Sequence, residues 1–232
     1  MMTRALGWLA ILLLAMLLTP NPANAQRLEL GLGQSHFSQV DDDIWFTRHG
    51  NYPFSNNLTT DSAALGLSGD VTGLRWGKTQ LGWRIWMVDL GNTSNTAVWS
   101  RDEQAYLRGD YSLPAYNEGN GTGSAYGVTV GPKLEYLLTN DLSLGVETGV
   151  FLYRASWTEE VRVIGHSQWT RMSECPNCAG AHTALTAYLG ATVRYRWLFA
   201  SARYYRHVHG MNSMFGGPVR QFLAGVSVPF GR

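Results

Sequence analysis

The 232-residue chain has only 2 cysteines and 8 prolines, and its charge is almost balanced, with 18 Lys+Arg against 17 Asp+Glu. Two cysteines exclude a disulfide-dense scaffold. They sit together in "ECPNCAG", and in an oxidising compartment Cys175 and Cys178 are expected to form a local disulfide. No βαβ pattern surrounds them, which argues against a thioredoxin-like redox pair. A site joining the two thiolates to His166 or His182 matches no closed tetrahedral spacing, so no metal is expected, and no cofactor motif is present. The near-zero net charge removes the electrostatic footprint of a nucleic-acid binder.

Long apolar runs are missing too. The run "ALGWLAILLLAMLL" (5–18) falls short of the roughly 20 residues that cross a bilayer as a helix. It follows Arg4 and precedes "PNPANAQ", where Ala23 and Ala25 form an A-x-A cleavage site, so residues 1–25 read as a secretory signal peptide. Residues 26–232 then form a single domain. Acids are also missing from its last stretch. Every Asp and Glu lies between Glu29 and Glu174, whereas Arg194, Arg196, Arg203, Arg206, Arg220 and Arg232 follow with none.

What is abundant is glycine (26), tryptophan (9) and tyrosine (11), which favours strands, turns and interface aromatics. Period-two alternation recurs without a sustained helical period. In "LSLGVETGVFLY" (142–153) the residues Leu142, Leu144, Val146, Val150 and Leu152 face one way, and Ser143, Gly145, Glu147 and Gly149 the other. The same division of a greasy and a small or charged face appears in 125–138, 183–197 and 221–230. Weaker strands are expected at 27–33, 63–76, 80–90 and 199–208. The connections alternate: short at 77–79, 139–141 and around 197–198, long and polar at about 34–62, 91–124 and 154–182, and intermediate at 209–218.

Eight alternating segments with short turns at one end and long loops at the other describe a transmembrane β-barrel. With its signal peptide, its aromatics and its closing strand "FLAGVSVPF", the chain resembles the small eight-stranded outer-membrane barrels of the OmpA/OmpX type. That resemblance implies an all-β, antiparallel, up-and-down barrel in the outer membrane of a Gram-negative cell, with long extracellular loops and short periplasmic turns. It implies as partners the outer-membrane lipid, lipopolysaccharide and the assembly machinery, which in such proteins reads a terminal aromatic. Here Phe230 is followed by Gly231 and Arg232. The expected role is structural or interactive, through the loops, in a monomer. A secreted lipocalin-like barrel, with its apolar face turned inward around a ligand, is the soluble alternative.

In the membrane reading, Glu29, Arg84, Lys133, Glu135, Glu147, Arg194, Arg196 and Arg203 share a narrow lumen and are expected to pair across it. Side chains fill the lumen of an eight-stranded barrel, which argues against a continuous pore. Trp83, Trp86, Tyr126, Tyr136, Tyr195, Trp197, Tyr204 and Phe230 are expected at the lipid interfaces or facing lipid; Trp86 also falls on the inward parity of its strand, which leaves a lumen plug as its alternative place. Arg206, on the outward parity, is the candidate contact for lipopolysaccharide phosphate.

Three segments raise the possibility of chemistry. "VDDDI" (40–44) offers Asp41, Asp42 and Asp43 without the alternating ligands and Gly turn of a calcium loop. "NEGNGTGSAYG" (117–127) lacks the Lys of a phosphate loop. "RHVHGMN" puts His207 and His209 on the side of Arg203 and Tyr205 near the loop end. Its placement is similar to the active strand of the outer-membrane lipid A deacylases, an acyl-hydrolase alternative. In that pattern His207 matches the base, but His209 stands where the serine nucleophile belongs and Gln221 where an acid belongs. Hydrolysis by that route needs a hydroxyl activated by an oriented base.

Overall fold

The computed structural model describes residues 26–38, 54–100, 116–163, 170–171, 179–208 and 217–230. Residues 1–25, with the expected signal peptide, lie outside them, as do Asp41 to Asp43, His166, Cys175, Cys178 and His209.

The described residues form ten strands: β1 (Gln26–Phe37), β2 (Phe54–Asn57), β3 (Thr59–Trp76), β4 (Thr79–Ser100), β5 (Tyr116–Leu137), β6 (Leu142–Val163), β7 (Thr170–Arg171), β8 (Ala179–Tyr195), β9 (Leu198–Val208) and β10 (Gly217–Phe230). Eight of them pair in the cyclic order β1-β3-β4-β5-β6-β8-β9-β10, and every pairing is antiparallel. The fold is therefore a closed eight-stranded antiparallel β-barrel. Closure pairs the first strand with the last from Gln26↔Phe230 to Phe37↔Val219. No edge strand of the barrel is left with unpaired backbone groups. The short β2 and β7 pair only with β4 and β6.

The strands turn tightly at one end. Gly77 begins the β3–β4 turn at φ 59°, and Arg196 begins the β8–β9 turn at φ 55°, a left-handed conformation that costs a non-glycine residue about 1–2 kcal/mol. At the other end β4, β5 and β6 each run 22 residues. Much of what the sequence pattern assigns to loops at 91–124 and 154–182 is thus strand. A β-bulge explains why the sequence alternation breaks at Leu90. The ladder shifts between Asp89 and Asn92, Gly91 takes φ 84°, and inward-facing positions pass from Leu90 to Thr93. A Cβ at Gly91 would stand 2.1 Å from the Asp61 carbonyl oxygen, so the bulge requires glycine.

The barrel's two faces differ in chemistry. Outward positions carry Leu28, Leu30, Leu32, Leu65, Met87, Leu134, Leu144, Val146, Leu185, Leu189, Val193, Phe222 and Val228, all exposed. Inward positions carry ion pairs and aromatic rings. This arrangement is the reverse of the lipocalin-like alternative. The outward apolar stretch has a similar length on four strands, nine to eleven residues: Phe230 back to Phe222 before Arg220, Tyr195 back to Leu185, Leu142 on to Leu152 before Arg154, and Tyr136 back to Tyr126. A rise of ~10 residues at ~3.3 Å each, tilted by ~35–45°, makes a belt about 25 Å tall. Trp76, Tyr136, Tyr195, Trp197 and Phe230 ring its short-turn edge, all exposed, and Tyr126 and Tyr204 stand at the other edge.

Candidate functional site: the closed lumen and its rim

Glu29 on β1 anchors the interior. It is fully buried, and its carboxylate accepts hydrogen bonds from Arg84 Nη2 (3.2 Å), Arg194 Nη2 (2.9 Å), Trp86 Nε1 (2.8 Å) and Ser227 Oγ (3.3 Å). The Trp86 indole, placed inward by the parity of β4, thus plugs the lumen and satisfies its N–H on the same acid. Glu147 on β6 accepts from Arg84 Nη1 (3.0 Å) and Arg203 Nε (2.7 Å). Glu135 on β5 accepts from Arg194, from Lys133 Nζ (3.1 Å) and from Ser143 Oγ (2.5 Å), and Asp70 lies 3.6 Å from Lys133. The interior ion pairs among the described residues thus join four acids, Glu29, Asp70, Glu135 and Glu147, to four bases, Arg84, Lys133, Arg194 and Arg203. Glu29, Glu135 and Glu147 are each shared between two bases, which is what buried charge needs if its desolvation is to be offset.

Glycine makes room for this network. A Cβ on Gly190 would stand 2.8 Å from Glu147 Oε1 and 3.1 Å from Arg203 Cγ. The void among Arg84, Lys133, Glu135, Glu147 and Arg194 measures about 10 Å³. That is about the space of one water molecule, so this level of the lumen is closed.

Arg196, expected inside with the others, is not there. It occupies the two-residue turn after Tyr195, where strand alternation has ended, and its side chain is 59 % exposed and 3.4 Å from Asp141. Asp70, Ser143, Ser227 and Thr192, which completes the bonding of Arg84 at 3.0 Å, belong to the network and do not stand out in the sequence. The inward parity of their strands is the signal that finds them.

Beyond the ion pairs the inner face carries aromatic and aliphatic side chains interspersed with small polar ones such as Ser35, Thr93 and Thr129. Arg203 lies 3.7 Å above the Trp86 ring centroid and Arg84 lies 4.8 Å from it, so two cations flank one indole. Phe151 stacks on Tyr153 at 5.2 Å and tilts against Tyr205 at 4.9 Å, while Tyr188 meets Tyr205 at 6.0 Å. Trp157, His182, Val88, Leu90, Val208 and Leu223 continue this packing. The expectation of a small and charged inner face therefore holds for only part of the lumen.

His207 does not continue the inward series of Arg203 and Tyr205. Between Tyr205↔Val219 and Val208↔Gly217 the two residues Arg206 and His207 face Pro218 alone. Proline has no N–H to continue the ladder. The bulge leaves His207 half-buried, gives the inward place to Val208, and keeps Arg206 exposed. His207 N donates to Thr186 Oγ1 at 3.2 Å. Gln221, at the position an acid occupies in the deacylase pattern, is fully buried and accepts from the Tyr205 hydroxyl at 2.9 Å. His209, which stands at the nucleophile position of that pattern, lies outside the described residues.

The chain matches no protein-family model and no curated protein sequence. Among solved structures it is similar to small outer-membrane barrels. Ail, the attachment invasion locus protein of Yersinia pestis, aligns with a TM-score of 0.42 at 12 % identity, covering 89 % of this chain and 99 % of that one. Neisserial surface protein A aligns at 0.39 with 11 % identity, covering 90 % and 99 %. The translocator domain of the autotransporter NalP from Neisseria meningitidis aligns at 0.31 with 12 % identity, covering 98 % and 96 %.

Proposed function

We propose that this protein is an integral outer-membrane β-barrel of a Gram-negative cell that acts through the surface it presents at its long-connection end, in envelope integrity or surface contact. One observation carries the reading: a continuous outward belt of apolar side chains, about 25 Å tall and ringed by aromatics, surrounds a lumen closed by ion pairs. The hydrocarbon-facing band of outer-membrane barrels has that height and those girdles. In water the same belt would expose far more contiguous apolar area than a soluble monomer tolerates. Closure satisfies every backbone group that lipid would otherwise strand.

In this orientation the short turns and both strand termini, Gln26 and Phe230, face the periplasm. The tall β4–β5–β6 wall and its connections face outward and are available to surface ligands. Outer-membrane lipid surrounds the belt, and Arg206, exposed at its far edge, meets lipopolysaccharide phosphate.

Two measurements test this. The protein should stay with outer membranes through an alkaline wash and migrate faster unheated than heated on a detergent gel. An epitope inserted within residues 101–115 should be labelled on intact cells. Recovery from the soluble fraction without detergent would overturn the reading.

A further inference from the structure

The outer wall has a groove. Across β8, β9 and β10 the outward positions Ala191, Ala200, Ala202 and Ala224 form a low floor, with Leu32 and Phe222 on one side and Leu144, Val146 and Val193 on the other. Its volume of about 720 Å³ falls within the range of clefts that hold small molecules, ~300–1,000 Å³. The register sets two outward rows across it, Leu32–Ala224–Ala200–Val193–Leu144 and Gln34–Phe222–Ala202–Ala191–Val146. The next row toward the long-connection end is His36–Arg220–Tyr204, with Arg206 two residues further along β9.

Arg206 and Arg220 differ from the interior arginines. Arg84, Arg194 and Arg203 each hold carboxylates, whereas the exposed Arg206 and Arg220 have no ion-pair or hydrogen-bond partner for their side chains among the described residues. The outward acid Asp61 stands opposite Gln34 on β3, across β1 from Arg220.

Resting on the outer-membrane reading, we propose that this groove takes an acyl chain of a phosphate-bearing lipid of the outer leaflet, and that Arg220 and Arg206 grip its phosphate. An apolar trough that runs up to unpaired guanidinium groups at the edge of the belt matches the two ends of such a lipid. The guanidinium fork suits phosphate oxygens. A second copy of the barrel fits less well, because pairing by this face about an axis normal to the membrane would bring the arginines of both copies together.

The test is native mass spectrometry of the detergent-solubilised protein with diphosphoryl lipid A or fully dephosphorylated lipid A as the added probe. The wild type should retain one diphosphoryl lipid A molecule, with about tenfold preference over the dephosphorylated form, the worth of one charge-assisted hydrogen bond. Arg206→Gln with Arg220→Gln should erase the preference, and Ala202→Phe, which fills the trough, should cut retention of both lipids while the gel heat shift persists. Equal lipid retention by Ala202→Phe and the wild type would overturn the acyl site, and preference unchanged in the double Arg variant would overturn the phosphate grip. A dimer that Ala202→Phe abolishes would assign the groove to a second copy. Failure of the membrane reading itself would show separately, as wild-type protein that needs no detergent and has no heat shift.

Discussion

The lumen is closed in two ways. Toward the short turns Glu135, Ser143, Lys133 and Arg194, with Glu29, Arg84 and Glu147, close it by complementary charge. Further along, Phe151, Tyr153, Tyr188, Tyr205 and Trp157 close it by ring volume. Trp86 belongs to both, giving its N–H to Glu29 and its faces to Arg84 and Arg203. The difference teaches which substitutions each level tolerates. A packed aromatic level is sensitive to lost volume and indifferent to small changes of identity, whereas a charged level is sensitive to the loss of one partner at unchanged volume, because the survivors stay buried and unpaired.

The largest expected effect comes from breaking the charged level at its hub. Glu29→Ala leaves Arg84, Arg194 and the Trp86 N–H without their shared acceptor, and should cost about 5 kcal/mol, the upper end for removing one member of a buried ion pair. Denaturant unfolding of the detergent-folded barrel, followed by tryptophan fluorescence, measures it. Glu29→Gln keeps the shape and should still be strongly destabilising. A neutral result for the glutamine variant would show that shape, and not charge, closes this level.

A smaller effect is expected in the aromatic level. Phe151→Ala removes a ring held between Tyr153 at 5.2 Å and Tyr205 at 4.9 Å, and should cost about 3 kcal/mol, the lower end for such truncations, since the flanking rings can tilt into the space. Phe151→Leu should cost under about 1.5 kcal/mol. In the same unfolding assay, the ratio of conservative to drastic loss separates the levels: small for Phe151, large for Glu29. Similar ratios at both sites would remove the distinction.

Strand parity made much of this legible in advance. It predicts the closed eight-stranded fold, the outward apolar belt and the inward placement of Glu29, Arg84, Lys133, Glu135, Glu147, Arg194 and Arg203. It fails wherever the period of two is interrupted. The bulge at Leu90–Gly91 makes strand look like loop from there on, and the bulge opposite Pro218 turns His207 out of the inward series. Phe151, Tyr153 and Tyr188 are inward by the same count that places Glu147 and Gly190, yet an aromatic residue suits lipid as well as a lumen, so composition alone does not assign it. The groove could not be seen at all, because Ala191, Ala200, Ala202 and Ala224 become neighbours only when the register of β8, β9 and β10 is known.

Arg196 gives the smallest expected effect and the sharpest control on the charged level. It is two residues from Arg194, carries the same group, and also faces an acid, but at 3.4 Å with both side chains more than half exposed. Water and salt screen such a pair, and holding it costs side-chain entropy. Arg196→Ala keeps a Cβ at the left-handed φ of 55°, so the backbone strain of the turn is retained and only exposed side-chain contacts are lost, the pair with Asp141 and a cation–π contact 5.4 Å from the Tyr195 ring centroid. The change in unfolding free energy should lie within about 0–1 kcal/mol and fade as ionic strength rises. Arg194→Ala in the same assay should cost several times more and be nearly independent of salt, since Glu29 and Glu135 would be left buried with one cation fewer. Equal losses at the two arginines would mean that burial does not set the worth of these pairs, and the division of the lumen into a charged and an aromatic level would lose its physical basis.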